Sequence, residues 1–124
     1  MRKERPINLD LSTVKFPITA IASILHRASG IIVFIALAIF LTLLNCSLSS
    51  AEDFQRVQGY FDLFIVGFIF WGALTGLAYH AVFGVRHMIQ DLGHWEEIES
   101  AALSAKVGFG LTIVLSILAG ILVW

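Results

Sequence analysis

Three stretches of this chain carry no Asp, Glu, Lys or Arg: Ala28–Leu48, Leu63–Val85 and Val107–Trp124, of 21, 23 and 18 residues. A helix needs about 20 apolar residues, with a range of roughly 17–25, to cross the hydrocarbon of a bilayer. Charged residues make up 14% of the chain, against about 25% in soluble domains. The shortfall lies in these runs. They predict an all-α membrane protein of one domain, 1–124, with three transmembrane helices at about 21–48, 61–88 and 104–124. Three such helices enclose little interior, so they are expected to form part of a larger helical bundle completed by a partner subunit.

The charges outside the runs set an orientation. Arg2, Lys3, Arg5, Lys15 and Arg27 precede the first span, and Arg86 and Lys106 lie between the second and third. Arg56 alone lies between the first two. Basic residues mark the cytoplasmic side. The N-terminus and the second loop are therefore expected in the cytoplasm, and the C-terminus in the periplasm, with Trp124 as an interfacial aromatic. The first apolar run is too long, and begins too late, for a cleaved secretory signal. A single cysteine, Cys46, excludes a disulfide framework or a thiolate metal site within the chain. Pro17 is read as a helix start, Ser47–Tyr60 as a short polar outer loop, and Gln90–Ala105 as a connector, partly helical toward Ser100–Lys106.

His80 lies inside the second run. An ionisable side chain in a membrane span marks a functional site, because lipid offers it no water. Gly72, Gly76, His80 and Gly84 recur every four residues and so share one helix face. Two readings stand. Small residues at this spacing let helices approach closely, with His80 a simple hydrogen bonder. Alternatively the flat face accepts a haem, and the imidazole is an axial ligand. His80 precedes Arg86 by six residues, roughly 9 Å along a helix, so the iron would lie near the cytoplasmic surface. None of His26, His87 and His94 is placed to face His80 across the ring, so a second ligand is expected from a partner chain.

Ser23, His26 and Arg27 stand at i, i+3 and i+4 at the mouth of the first span, on one face. A serine hydroxyl hydrogen-bonds a carbonyl, an arginine stabilises developing negative charge, and an imidazole passes protons near neutrality. This set suits an anion or a quinone head. The competing reading is an arginine reaching to lipid headgroups. Arg86, His87 and Asp91 make a second polar set on the same side, where Arg86 could pair with Asp91 or meet headgroups. Glu96, Glu97 and Glu99 read as a solvated face or docking edge.

Arg5-Pro6-Ile7 together with Ser23-Ile24-Leu25-His26-Arg27-Ala28-Ser29-Gly30 resembles the N-terminal signature of the cytochrome b anchor subunit of succinate dehydrogenase. His80-Ala81-Val82-Phe83-Gly84-Val85-Arg86-His87-Met88, through Asp91, resembles its second signature. The order, chain length and span count agree, and the wording is nearest to bacterial ubiquinone-linked enzymes. One departure is Gln90, where the family carries a large apolar or aromatic residue.

The resemblance implies roles. His80 corresponds to the axial ligand of haem b, whose other ligand comes from the small membrane anchor subunit. Ser23 and Arg27 correspond to quinone-site residues, and His26 and Arg27 to residues around the haem propionates. His87 and Asp91, with His26, are candidates for proton relay. The implied protein is a membrane anchor in the bacterial cytoplasmic (inner) membrane. It would pass electrons from succinate to ubiquinone beside an iron–sulfur subunit and a flavoprotein subunit that holds the dicarboxylate site. Membrane lipid surrounds it, and no nucleic-acid partner is expected. A fumarate reductase anchor is the near alternative. A haem-free anchor or a small transporter subunit is more distant, since the spans hold no carboxylate or charge pair.

Overall fold

The computed structural model describes Ile7 and residues 9–124. The described residues form helices and no strand: α1 Ile18–Ser47, α2 Ala51–Tyr60, α3 Phe64–Asp91 and α4 Ile98–Val123, after one 3-10 turn at Leu11–Thr13. Three of these, α1, α3 and α4, are long and apolar enough to cross a membrane. Arg2, Lys3 and Arg5, expected on the cytoplasmic side, and Arg5-Pro6 of the first signature lie outside the described residues.

Helix α1 opens where Pro17 predicts. The carbonyl of Pro17 accepts from the amides of Ala20 and Ile21 at 3.0 and 3.2 Å, and a proline there loses nothing, because its own amide would go unpaired. Helix α3 ends at a glycine. Gly93 adopts φ +86, its amide donates to Gln90 O at 2.9 Å, and His94 N donates to Ile89 O at 3.3 Å. This left-handed stop satisfies the last carbonyls of the helix and favours glycine.

Two segments depart from the sequence reading. The polar outer loop holds a helix, α2. The Ser50 side chain accepts from Asp53 N at 3.0 Å, and Arg56 pairs with Asp53 at 2.8 Å and Glu52 at 3.4 Å. Local capping and i to i+3 or i+4 pairing suffice for ten residues without an apolar run. Ser100–Lys106 is helical as expected, but it belongs to the third long helix, which starts at Ile98 and runs into the apolar stretch without a break.

Successive long helices pack antiparallel, so α1 and α4 run parallel to each other. Lys15, Arg27, Arg86 and Lys106 stand at one end of the bundle, the basic end, and Arg56 at the other. The core gathers toward the basic end. Ala22, Phe83 and Ala105 are fully buried, with Tyr79 beside them. Tyr79 stacks on Phe83 at 4.3 Å between ring centroids, and its hydroxyl donates to Ala22 O at 2.9 Å. Toward the other end α3 and α4 stay joined, with Trp71 Nε1 donating to Ser116 O at 2.9 Å and Thr75 Oγ1 lying 2.8 Å from Ser116 Oγ. There an apolar groove lined by Ile32, Ile35, Ile39, Phe40, Ile69 and Gly72 lies between α1 and α3, with Phe40 against Phe70 at 5.2 Å between ring centroids. Most other large apolar side chains face outward, as lipid allows.

Close approach of α4 to Phe83 depends on Gly108. A Cβ there would stand 2.9 Å from Phe83 Cζ, and Phe83 is fully buried. The ring has nowhere to turn. Gly108→Ala is expected to cost about 1–3 kcal/mol through overpacking, read as a lower melting temperature of the detergent-purified protein. An unchanged melt would show that Phe83 has room.

Candidate functional site

Helices α1 and α3 meet at the basic end through three imidazoles. The His26 and His80 rings stack with centroids 4.4 Å apart and planes 6° from parallel. His87 lies against His26 at 5.0 Å and 57°. The i to i+7 spacing of His80 and His87 places both toward α1. Glycines make the approach possible. A Cβ on Gly30 would stand 3.2 Å from His80 Cε1, and one on Gly84 would stand 3.4 Å from His26 Nε2. The α3 glycine stripe is thus a seat for α1: Gly84 receives the His26 ring, and Gly76 meets Ile32. Gly72 alone of the stripe has open space around it, at the apolar groove.

His80 is held at one ring nitrogen. Its Nδ1 lies 3.1 Å from Ser29 Oγ and 3.3 Å from His26 O, while Ser29 Oγ donates to His26 O at 2.7 Å. Its Nε2 makes no hydrogen bond among the described residues. His26 Nε2 is buried and has no partner among them, a condition that buried polar atoms rarely tolerate. Next to it Arg27 is exposed and forms no ion pair among the described residues. Ser23 is half-buried with its hydroxyl unengaged among them.

These features suit a haem. A half-buried imidazole in an apolar span, with one nitrogen anchored and the other unengaged, fits an axial ligand. The unpartnered His26 Nε2, and the exposed Arg27 that follows it in sequence, are the groups here that could meet the carboxylates of such a group. The His26 and His80 rings lie face to face, so the two could not ligate one iron from opposite sides. Among the described residues no group of three His, Cys, Asp or Glu could hold a metal ion by itself.

The remaining sequence candidates fall in two groups. His87 joins the imidazole cluster, and Asp91 is exposed at the end of α3, one turn beyond it. His94 lies in the connector, apart from the cluster. Arg86 neither pairs with Asp91 nor faces headgroups. It is 4% exposed and turns into the bundle, with Nε on Ser104 Oγ at 2.9 Å, Nη1 on Gln90 Oε1 at 2.9 Å and Nη2 on Ala101 O at 3.0 Å. Gln90 therefore serves the arginine, its amide oxygen occupying one corner of a buried guanidinium. Ser29 stands in the first signature, but the sequence gives it no role; its contact with His80 is visible only in the structure.

Residues 1–119 match the family of succinate dehydrogenase/fumarate reductase transmembrane subunits. The chain belongs to that family. Among its relatives, a succinate dehydrogenase cytochrome b556 subunit of Coxiella burnetii is 34% identical, with the whole of both chains covered. A succinate dehydrogenase cytochrome b560 subunit of Reclinomonas americana is 31% identical over 98% of this chain and 88% of the relative. A cytochrome b556 subunit of Paracoccus denitrificans is 27% identical over 94% and 90%. As a transmembrane subunit of this family, the chain is an integral membrane protein, in keeping with its three apolar helices. The imidazole cluster and its flanking Ser23, Arg27 and Asp91 lie within the matched residues.

Proposed function

We propose that this chain is the haem b-carrying membrane anchor of a succinate:quinone oxidoreductase, set in the bacterial inner membrane with its basic end toward the cytoplasm. The observation that carries this reading is His80. It is an intramembrane imidazole with one anchored and one unengaged nitrogen, in a chain of this family. Relatives are named as cytochrome b subunits, which supports haem b as the group His80 serves. When bound, the haem supplies a one-electron centre beside the quinone. His80 would hold its iron through Nε2, and His26 and Arg27 would hold its propionates. A small membrane anchor subunit would supply the opposite ligand and cover the apolar groove side of the bundle.

The quinone work falls to Ser23 and Arg27. A hydroxyl donor orients a quinone carbonyl, and a guanidinium stabilises the negative charge that grows on that oxygen as ubiquinone is reduced. Electrons would arrive from an iron–sulfur subunit fed by a flavoprotein subunit. Protons would enter at exposed Asp91 and pass by His87 and His26, whose rings already touch. The distribution of basic residues supports the orientation, since Arg56 stands alone at the opposite end. The family description covers fumarate reductase as well; the names of the relatives favour succinate oxidation.

Arg27→Leu in the intact complex tests the quinone assignment. A hydrogen bond to a charged group contributes about 1.5–3 kcal/mol, so succinate-driven quinone reduction should fall about tenfold to a hundredfold. Succinate oxidation by a soluble artificial acceptor should persist. Full quinone turnover in the variant would remove Arg27 from the site.

A further inference from the structure

We infer that Ser29 is a positioning residue: it fixes the tautomer and the ring angle of His80, so that Nε2 is presented to iron as an unprotonated donor. This rests on the proposal that His80 ligates the haem. Counting protons decides the tautomer. A serine hydroxyl has a single proton. Ser29 Oγ lies 2.7 Å from His26 O, and a carbonyl only accepts, so the proton is directed there. Toward His80 Nδ1, 3.1 Å away, the same oxygen has only acceptor capacity left. The other neighbour of Nδ1, His26 O at 3.3 Å, also accepts. Both partners demand a donor, so Nδ1 carries the ring proton. A neutral imidazole has one N–H, and Nε2 therefore keeps its lone pair.

The surroundings suit this role. Ser29 is 5% exposed, so water does not compete for its hydroxyl. Gly30, the next residue, lets the α1 backbone approach to where a Cβ would stand 3.2 Å from His80 Cε1. The stacked His26 ring blocks rotation from one side. The same turn of α1 thus supplies a flat wall, a close backbone and an acceptor. A hydrogen bond at the far nitrogen makes an imidazole a stronger donor to its metal, and loss of such a partner costs about 10–100-fold in metal affinity or activity. Stronger donation favours ferric over ferrous iron. Removing the hydroxyl should therefore release the haem more easily and raise its potential.

The test is a redox titration of the haem absorbance in the purified intact complex, with haem content measured beside it. The chains compared are wild type, Ser29→Ala, Ser29→Thr and His80→Leu. Ser29→Ala is expected to shift the ferrous-to-ferric ratio at fixed ambient potential by about tenfold toward ferrous, which is about 59 mV for one electron. Ser29→Thr retains the hydroxyl and should titrate near wild type. A purely structural serine would not move the potential in an assembled complex. A Ser29→Ala curve superimposed on wild type, or a threonine variant displaced as far as alanine, would overturn the inference. Should the alanine chain not assemble, Ser29→Cys carries the same test, since a thiol is a weak acceptor: a shift in the same direction supports the role and none overturns it. His80→Leu separates the two layers. A haem signal unaltered by His80→Leu sinks the ligand assignment itself. A signal lost in His80→Leu but unmoved by Ser29→Ala sinks only the role of Ser29.

Discussion

His80→Leu is expected to abolish or shift the b-type band in a reduced-minus-oxidised spectrum of the purified complex, while the complex still assembles. The two effects separate for a physical reason. Leucine fills much of the imidazole volume in an apolar span but offers no lone pair. The bonds lost within the chain are those of Nδ1 to Ser29 and to His26 O, each worth about 1 kcal/mol net or less, and Ser29 retains His26 O at 2.7 Å. The iron, by contrast, loses a ligand outright. A band of unchanged position and amplitude would mean that the axial imidazole lies elsewhere. An absent band in the intact wild-type complex would leave α3 as a packing surface and return the haem-free anchor to contention.

Arg86→Leu should act on stability. Three bonds, to Ser104, Gln90 and Ala101, tie α3 to the first turns of α4 and to the end of its own helix. No acidic partner stands among the described residues, so the charge is held by neutral oxygens alone. A bond from a charged donor contributes about 1.5–3 kcal/mol, reduced to about 1 kcal/mol where membrane helices find other partners. The three together amount to about 2–4 kcal/mol. Lysine should not rescue, because an ammonium cannot span three acceptors in the fork geometry of a guanidinium. Thermal unfolding of the purified protein reads the difference. Gln90→Leu should cost less, about 1 kcal/mol, since two bonds of the arginine survive. A wild-type melt in Arg86→Leu would show that the inward arginine stabilises nothing.

The spans were readable because lipid imposes one demand on every residue it touches, and a charge-free run answers it locally. Pro17 was readable for a similar reason: its ring acts on its own backbone. The α2 helix was missed although its start signal, Ser50 followed three residues later by Asp53, stood in the sequence; a search guided by hydropathy passes over a polar helix. What could not be read was register between helices. His26 and His80 are 54 residues apart, and nothing in either segment says that their rings lie 4.4 Å apart. Arg86 shows the same limit. Its neighbours along the chain suggested Asp91 or headgroups, yet its partners include Ser104 and Ala101, supplied by a helix whose rotation is set by Gly108 against Phe83. Gln90 looked like a departure from the family pattern until the guanidinium beside it explained the amide.

The inward turn of Arg86 bears on how the chain enters the bilayer. Helix α3 is the least apolar of the three long helices, and the oxygens on Ser104 and Ala101 that hold its guanidinium belong to a helix synthesised after it. While the ribosome is still making α4, that cation has only Gln90 to answer it. Helix α1 carries no such debt and can rest in lipid alone. Translocation should therefore treat α3 and α4 as one hairpin, the earlier leg waiting at the membrane surface until the later one arrives. A chain truncated before Ser104 would be expected to leave α3 poorly inserted.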